Sequence, residues 1–470
     1  MKKRNIAILS VIMTATVSLQ ASANSAPIRM YGYPSSALMS IEESSPIEVE
    51  KEELSFDMSE ASGYHAKVSA SYLMHNTDEG QMTSKMVFPY IGNLSAFSEE
   101  RPVVTVDGQE IPYTLYIGDT LEGDTMDERE ADAERFDIRE ALASLTVEEY
   151  RPRNFDPEAV GKTYQFKVGP KGNKDLHLNL SLKFTMDELE TKVFAYGFNG
   201  YGRNGSQVEL IGWMGEEAIF EVHVQGDDIE IQVEAFTSDG MKTEKSVDFT
   251  YALSEEEERF GDYQERLQDS LPLMPEVQVQ GGGLESLLLR ALDKDLESMQ
   301  GVATENETYA AVFKDRYLHL VYEVPFLADD RKTVEVSYQA QATMDRSATT
   351  VPTYTFTYLL RPAAYWKDFR NLQVEVRTST NSPYLIGSSM EMEKTGDNVY
   401  VANLESLPSE DLTFTLYHKP EITTQDRIQG TLQRQFGYFY PMVLMVLLLL
   451  AGITILVLVR TFRRRNRHRT

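Results

Sequence analysis

The sequence predicts a mainly β fold: two antiparallel β-sandwich-like ectodomain modules with short helical insertions, followed by one C-terminal transmembrane helix. Three observations lead there. Leu176, Leu178, Leu180, Leu182 and Phe184 alternate without a break with His177, Asn179, Ser181, Lys183 and Thr185, the period of a strand with one buried face. Short runs of this kind recur between turn signals such as Asp107-Gly108 and Gly226-Asp227-Asp228, as in sandwich proteins. Phe436 to Val459 carries no charge, and at about 1.5 Å per helical residue it is long enough to cross a hydrocarbon core of about 30 Å.

At the N-terminus Lys2, Lys3 and Arg4 precede an apolar run from Ile6 to Leu19, and Ala21-Ser22-Ala23 supplies the small residues a signal peptidase accepts. Residues 1–23 are therefore expected to be a signal peptide, and 24–51, mixed in Pro, Ser and Glu, a linker. A first β-rich domain is expected over 52–270. In it Val68, Ala70, Tyr72 and Met74 alternate with smaller or polar residues, and Pro102 to Val106 meets Ile111 to Leu115 across Asp107-Gly108. Further strands run from Ala218 to Val224 and from Ile229 to Phe236. Two helices interrupt this domain. Asp127 to Leu145 places Phe136, Ile138, Ala141, Leu142 and Leu145 at helical spacing, and Ser254-Glu255-Glu256-Glu257 reads as a capping box opening a short charged helix to about Leu267.

Pro272, Pro275 and Gly281 to Gly283 mark a linker over 271–283. A helix from about Leu284 to Met299 opens the second module, 284–420, with Leu287, Leu288, Leu289 and Leu292 set to pack on it. Its strands centre on Val334 to Ala342, Tyr354 to Leu360, Leu372 to Val376, Val399 to Ala402 and Leu412 to Leu416. A stem, 421–435, leads into the span, 436–459, and a basic tail, 460–470. Arg460, Arg463, Arg464 and Arg465 resist translocation, so the tail is expected in the cytoplasm and all that precedes the span outside the cell membrane. Tyr438, Phe439 and Tyr440 sit where an interfacial aromatic belt anchors the outer edge.

Composition narrows the partners. The chain has 73 acidic against 45 basic residues, a formal −28, and nine of the basic residues lie at its two ends. The middle is thus still more acidic, a field that repels phosphate backbones, so no nucleic acid is expected as a partner. With no cysteine, disulfides, thiol catalysis and zinc–thiolate sites are excluded. A cysteine-free exported chain points to a bacterial envelope, where the expected partners are the membrane itself and another envelope or membrane protein.

A family resemblance adds to this reading. Tyr64-His65-Ala66-Lys67-Val68-Ser69-Ala70-Ser71-Tyr72-Leu73-Met74-His75-Asn76, then Met86-Val87-Phe88-Pro89 and Val104-Thr105-Val106-Asp107-Gly108, resembles the opening of uncharacterised membrane-anchored, β-rich bacterial ectodomain proteins, and faintly VIT-type domains. Tyr358-Leu359-Leu360-Arg361-Pro362-Ala363-Ala364-Tyr365-Trp366, with Phe369 shortly after, belongs to the same pattern. The resemblance implies an architecture and a compartment, and carries over no catalytic residue.

The chemical motifs are few. Gly200-Tyr201-Gly202-Arg203-Asn204-Gly205 has the spacing of a dinucleotide loop, but Val208 to Ile211 after it reads as a strand where that loop needs a helix, so a glycine-rich turn is expected. The acidic loop Gly118 to Glu128 is the sharpest candidate: Asp119, Glu122, Asp124 and Asp127 can converge as hard oxygen ligands for Ca2+. The same acids also suit the start of the helix that follows. The histidines are scattered, with no H-E-x-x-H or paired spacing, and no G-x-S-x-G elbow occurs. No catalytic residue is assigned, and no cofactor is expected, Ca2+ at the acidic loop being the one candidate. The reading is an anchored extracytoplasmic binding, structural or accessory protein, with an anchored hydrolase of envelope polymer or a single-pass sensor as alternatives.

Overall fold

The computed structural model describes residues 29–30, 32–40, 45–60, 64–120, 150–171, 178–214, 217–237, 245–246, 248–270, 278–279, 283–436 and 439–467. The expected signal peptide and the helix expected over 127–145 lie outside them. Strands dominate the described residues, in five sheets that are largely antiparallel, with parallel pairs at four places.

Strand alternation falls where hydrophobic period two placed it. Ala66, Val68, Ala70, Tyr72 and Met74 are buried along His65–Asn76, and Leu178, Leu180, Leu182 and Phe184 along Leu178–Thr185. Asp107 and Gly108 both have positive φ, 50° and 78°, the requirement of a type I′ turn, and they join Val103–Val106 to Gln109–Glu110. That hairpin is shorter than expected. Thr114–Thr120 leaves it and pairs with Arg316–Phe326 in another sheet.

Of the five described sheets, only the one built from strands between Leu178 and Ser246 closes within 52–270, and none closes within 284–420. In the eight-stranded sheet Ile47–Asp57 lies between His65–Asn76, antiparallel, and Asp368–Arg377, parallel. His65–Asn76 pairs in turn with Arg331–Gln341, and Met82–Gly92 with Arg316–Phe326. One core accordingly gathers residues from Ala37 to Leu115 and from Leu288 to Leu416. Between them, Val160 to Arg259 supply most of two further five-stranded sheets, whose facing side chains share a second core around Phe166, Leu180, Leu182, Leu210 and Val222. Ala218–Gly226 and Gln232–Thr237, expected as neighbours, lie one in each of these sheets, so the Gly226-Asp227-Asp228 turn crosses between them.

Six α-helices are described: α1 (Leu94–Glu99), α2 (Phe260–Ser270), α3 (Gly283–Ser298), α4 (Glu305–Phe313), α5 (Thr424–Phe436) and α6 (Tyr440–Arg467). The helix α3 is close to its expected span, but it serves two cores. Leu288 joins the first, while Leu289, Leu292 and Leu296 meet Phe155, Phe194, Phe260 and Tyr263 on the outside of the second body.

Two expectations need correction. Ser254 to Glu257 are not a helix cap: they belong to the strand Phe249–Arg259, and α2 starts only at Phe260. Eleven consecutive positions paired with Val160–Pro170 outweigh a local capping preference. The segment expected as a linker is structural over its described part, with Ala37, Leu38 and Met39 fully buried; its first three strands are two residues long and leave no periodicity to read, and its end, from Ile47, already opens the strand Ile47–Asp57. The stem, for which the sequence predicts no conformation, is largely helical, as α5.

At the C-terminus α6 carries Arg460, Arg463, Arg464 and Arg465 on helical backbone. Among the described residues no helix is long and apolar enough to cross a membrane. Along α6 the side chains of Tyr440, Pro441, Val443, Leu444, Leu447 and 461–467 are outside the description, so the longest continuous described stretch is 448–460, shorter than the roughly 20 residues a span needs.

Candidate functional site

The sequence-predicted metal loop is not brought together by the described residues. Asp119 lies near the end of the strand Thr114–Thr120, its side chain outside the description, and Glu122, Asp124 and Asp127 lie outside the described residues altogether. Among the described residues no three His, Asp or Glu side chains group closely enough to hold a metal ion. The Gly200 to Gly205 motif forms a hairpin, Gly200–Asn204 against Gln207–Met214, with no helix at its end. Tyr438 is outside the described residues, Phe439 is exposed, and Tyr440 begins α6.

The pairing of Met82–Gly92 with Arg316–Phe326 sets Arg316 opposite Gly92, and so brings Asp315 up to Asn93. There Asn93 works at both ends of its amide. Its Oδ1 accepts the Ala96 N–H at 2.8 Å and caps α1, while its Nδ2 donates to Asp315 Oδ1 at 3.1 Å. The other oxygen, Oδ2, accepts from the Tyr33 hydroxyl at 3.0 Å. Asp315 is thereby fixed in the wall of a cleft of about 410 Å³, with Tyr33, His65, Tyr90, Glu100 and Gln341 among its other lining residues.

No lysine or arginine is among the residues that line this cleft. Its field is therefore negative, and the tyrosines register it. The Tyr90 phenol is pushed up to about 12 by burial and then by the charges of Asp315 and Glu100. Tyr64, whose hydroxyl accepts from Gln341, is raised by burial and again by Asp315. A carboxylate held by two neutral donors, ringed by aromatic faces and unopposed by cations, is suited to receive a small positively charged group.

Behind the cleft lies a fully buried carboxylate. A β-bulge between Val49 and Lys51 shifts the alternation of Ile47–Asp57 by one residue, which turns Leu54 and Phe56 into the core and Glu52 with them. Tyr358 donates to Glu52 Oε1 at 3.1 Å, Tyr72 and Tyr358 share a bond of 2.8 Å, and Leu38 N–H donates to the Tyr72 hydroxyl at 3.1 Å. Glu52 Oε2 has no partner among the described residues. Burial lifts its carboxyl to about 7, although both tyrosines work against that shift. This network also holds the segment 33–38, which brings Tyr33 and Ser35 to the cleft.

A second polar cluster looks catalytic in composition but is closed. Thr163 Oγ1 is 2.8 Å from His223 Nδ1 and donates to Glu258, which Arg266 pairs at 2.6 Å. Yet His223 is fully buried against Tyr263, and a Cβ added at Gly161 would lie 2.5 Å from Nε2, so backbone occupies the place a substrate would need. Burial drives the imidazole down to about 4, leaving it neutral despite Glu258.

Of the scattered histidines, His65 alone lines the Asp315 cleft. Asp315 and Tyr33 escaped sequence reasoning because 282 residues separate them and no motif links them. A larger groove of about 810 Å³, between 389–393 and 408–410, has no aromatic wall.

No family model matches the chain, and no curated protein matches it. Among solved structures it is similar to a crystal structure from Legionella pneumophila subsp. pneumophila str. Philadelphia 1, of a protein given a nutrient-binding role only provisionally, with a TM-score of 0.33 and 9% identity over 87% of this chain and 86% of that one. A likeness at that level does not establish a shared function.

Proposed function

We propose that the chain is a membrane-anchored, extracytoplasmic binding protein of a bacterial envelope, whose Asp315 cleft receives the cationic group of a small ligand. The observation that carries the ligand class is the Asp315 carboxylate, fixed by Tyr33 and Asn93 in a cleft with no cation in its lining. The anchor is α6. Its described apolar side chains, Leu448, Leu449, Ile453, Ile455, Leu456 and Leu458 among them, are exposed rather than packed on the body, which suits a lipid surround, and arginines follow them.

The test uses the full chain in detergent. Tetramethylammonium and putrescine at millimolar concentration are expected to raise its melting temperature, and acetate is not. Asp315→Asn should weaken the cation effect at least about tenfold, since it removes the charge while keeping the shape. Absence of any cation effect, or an undiminished one in Asp315→Asn, would sink the ligand reading. The anchor is tested separately: the protein should resist alkaline carbonate extraction of membranes and be released when 436–470 are removed.

A further inference from the structure

We infer that the open edge of the strand Phe249–Arg259 is a docking surface for an extended, lysine- or arginine-bearing segment of a partner protein, which adds to the sheet as a further strand. This rests on observations independent of the Asp315 cleft.

The strand ends a five-stranded sheet, and no described strand pairs with its outer side. It is long for an edge. All eleven residues keep register with Val160–Pro170, with no bulge to twist the edge away. It contains no proline, one device by which sheets blunt their edges, and its charges are confined to Glu255 to Arg259, leaving Phe249 to Ser254 uncharged. The opposite edge of the same sheet is the three-residue strand Val302–Thr304, which is buried. A strand of this length presents about five N–H and five C=O groups to an incoming chain.

The side chains say what kind of chain fits. Tyr251 and Leu253 are 52% and 44% exposed, on the same side of the strand, with Phe249 stacked on Tyr251 at 5.6 Å between ring centres. Glu255 and Glu257 continue that side, Glu256 and Glu258 the other. Glu255 is paired with Lys162 and Glu258 with Arg266, whereas Glu256 and Glu257 form no ion pair among the described residues. An apolar half followed by a run of four carboxylates, Glu257 with Lys162 opposite it and Glu256 with no ion pair among the described residues, asks for an extended segment with apolar residues at one end and basic residues at the other. A second copy of this edge does not meet that request. Paired in parallel it opposes glutamate to glutamate; paired antiparallel about Ser254 it sets Leu253 against Glu255 and Tyr251 against Glu257.

The experiment uses the full chain in detergent and fluorescent nine-residue peptides in extended patterns of Val with Lys, or of Val with Glu. The lysine peptide is expected to bind with salt-dependent affinity, and the glutamate peptide not to bind. Joint Glu256→Lys and Glu257→Lys substitution should weaken the lysine peptide at least about tenfold with the melting temperature little changed. Hydrogen exchange on the unsubstituted protein should show new protection confined to Phe249–Arg259. Binding that survives the double substitution, protection elsewhere, or no binding of the lysine peptide would each overturn the inference, as would self-association through this edge.

Discussion

Glu52 is the residue whose chemistry is furthest from its ordinary state. Its carboxyl, normally near 4.5, titrates near 7 in the folded protein because no water reaches it and its neighbours are tyrosines rather than cations. The folded state therefore holds this proton to higher pH than the unfolded chain does. The contribution is fully present below about 4.5 and is lost as pH rises through about 7, a difference on the order of 3 kcal/mol. Urea unfolding at pH 5 and pH 8 should show that loss in the native sequence, and Glu52→Gln should shrink it by a comparable amount. An unchanged pH dependence in Glu52→Gln would contradict the assignment. The sequence could not have marked this residue, because Glu52 sits among Glu48, Glu50 and Glu53, and only the bulge decides which of them turns inward. Asp315 was hidden in the same way, its donors Tyr33 and Asn93 being supplied by distant parts of the chain.

Single elements were the most legible scale. Where one face is buried the alternation is explicit, and His65–Asn76, Leu178–Thr185 and Arg331–Gln341 follow it. Elements whose position is set by contact rather than pattern were not legible: the two-residue strands near Ala37, and the glutamate run that long-range pairing holds extended. The helix α3 illustrates a contact that no periodicity announces. Its Asp293 accepts from the Tyr150 hydroxyl at 2.7 Å and from the N–H groups of Arg153 and Asn154 at 3.0 and 2.9 Å, clasping the chain where it enters the second body. Burial opposes ionisation there, but these donors outweigh it and hold the carboxyl below its usual range, so this stabilisation exists above that range and is lost as pH falls. Asp293→Ala leaves several donors without a partner and should cost about 3 kcal/mol in urea unfolding at neutral pH. A loss under about 0.5 kcal/mol would mean the clasp is dispensable.

At the scale of the molecule, compositional shifts and the Pro/Gly segment suggested modules in series, while the pairing joins strands across it. Which strand lies beside which depends on complementarity over hundreds of residues, and no local signal encodes that. The consequence can be measured. A fragment ending at 120 keeps His65–Asn76 and Met82–Gly92 but loses Arg331–Gln341 and Arg316–Phe326, so it should lack cooperative unfolding. A fragment of 150–304 retains both sheets of the second body and should unfold in one transition. Cooperative melting of the first fragment would refute this. The same pairing bears on how the protein is made. Ser69 and Glu335, hydrogen-bonded at 2.7 Å, are 266 residues apart, so at 5–20 residues per second the first strand waits roughly 15–50 s for its partner during synthesis. Throughout that interval the edge of His65–Asn76 away from Ile47–Asp57 is open, and the chain's heavy excess of carboxylates keeps nascent copies apart until the sheet can close.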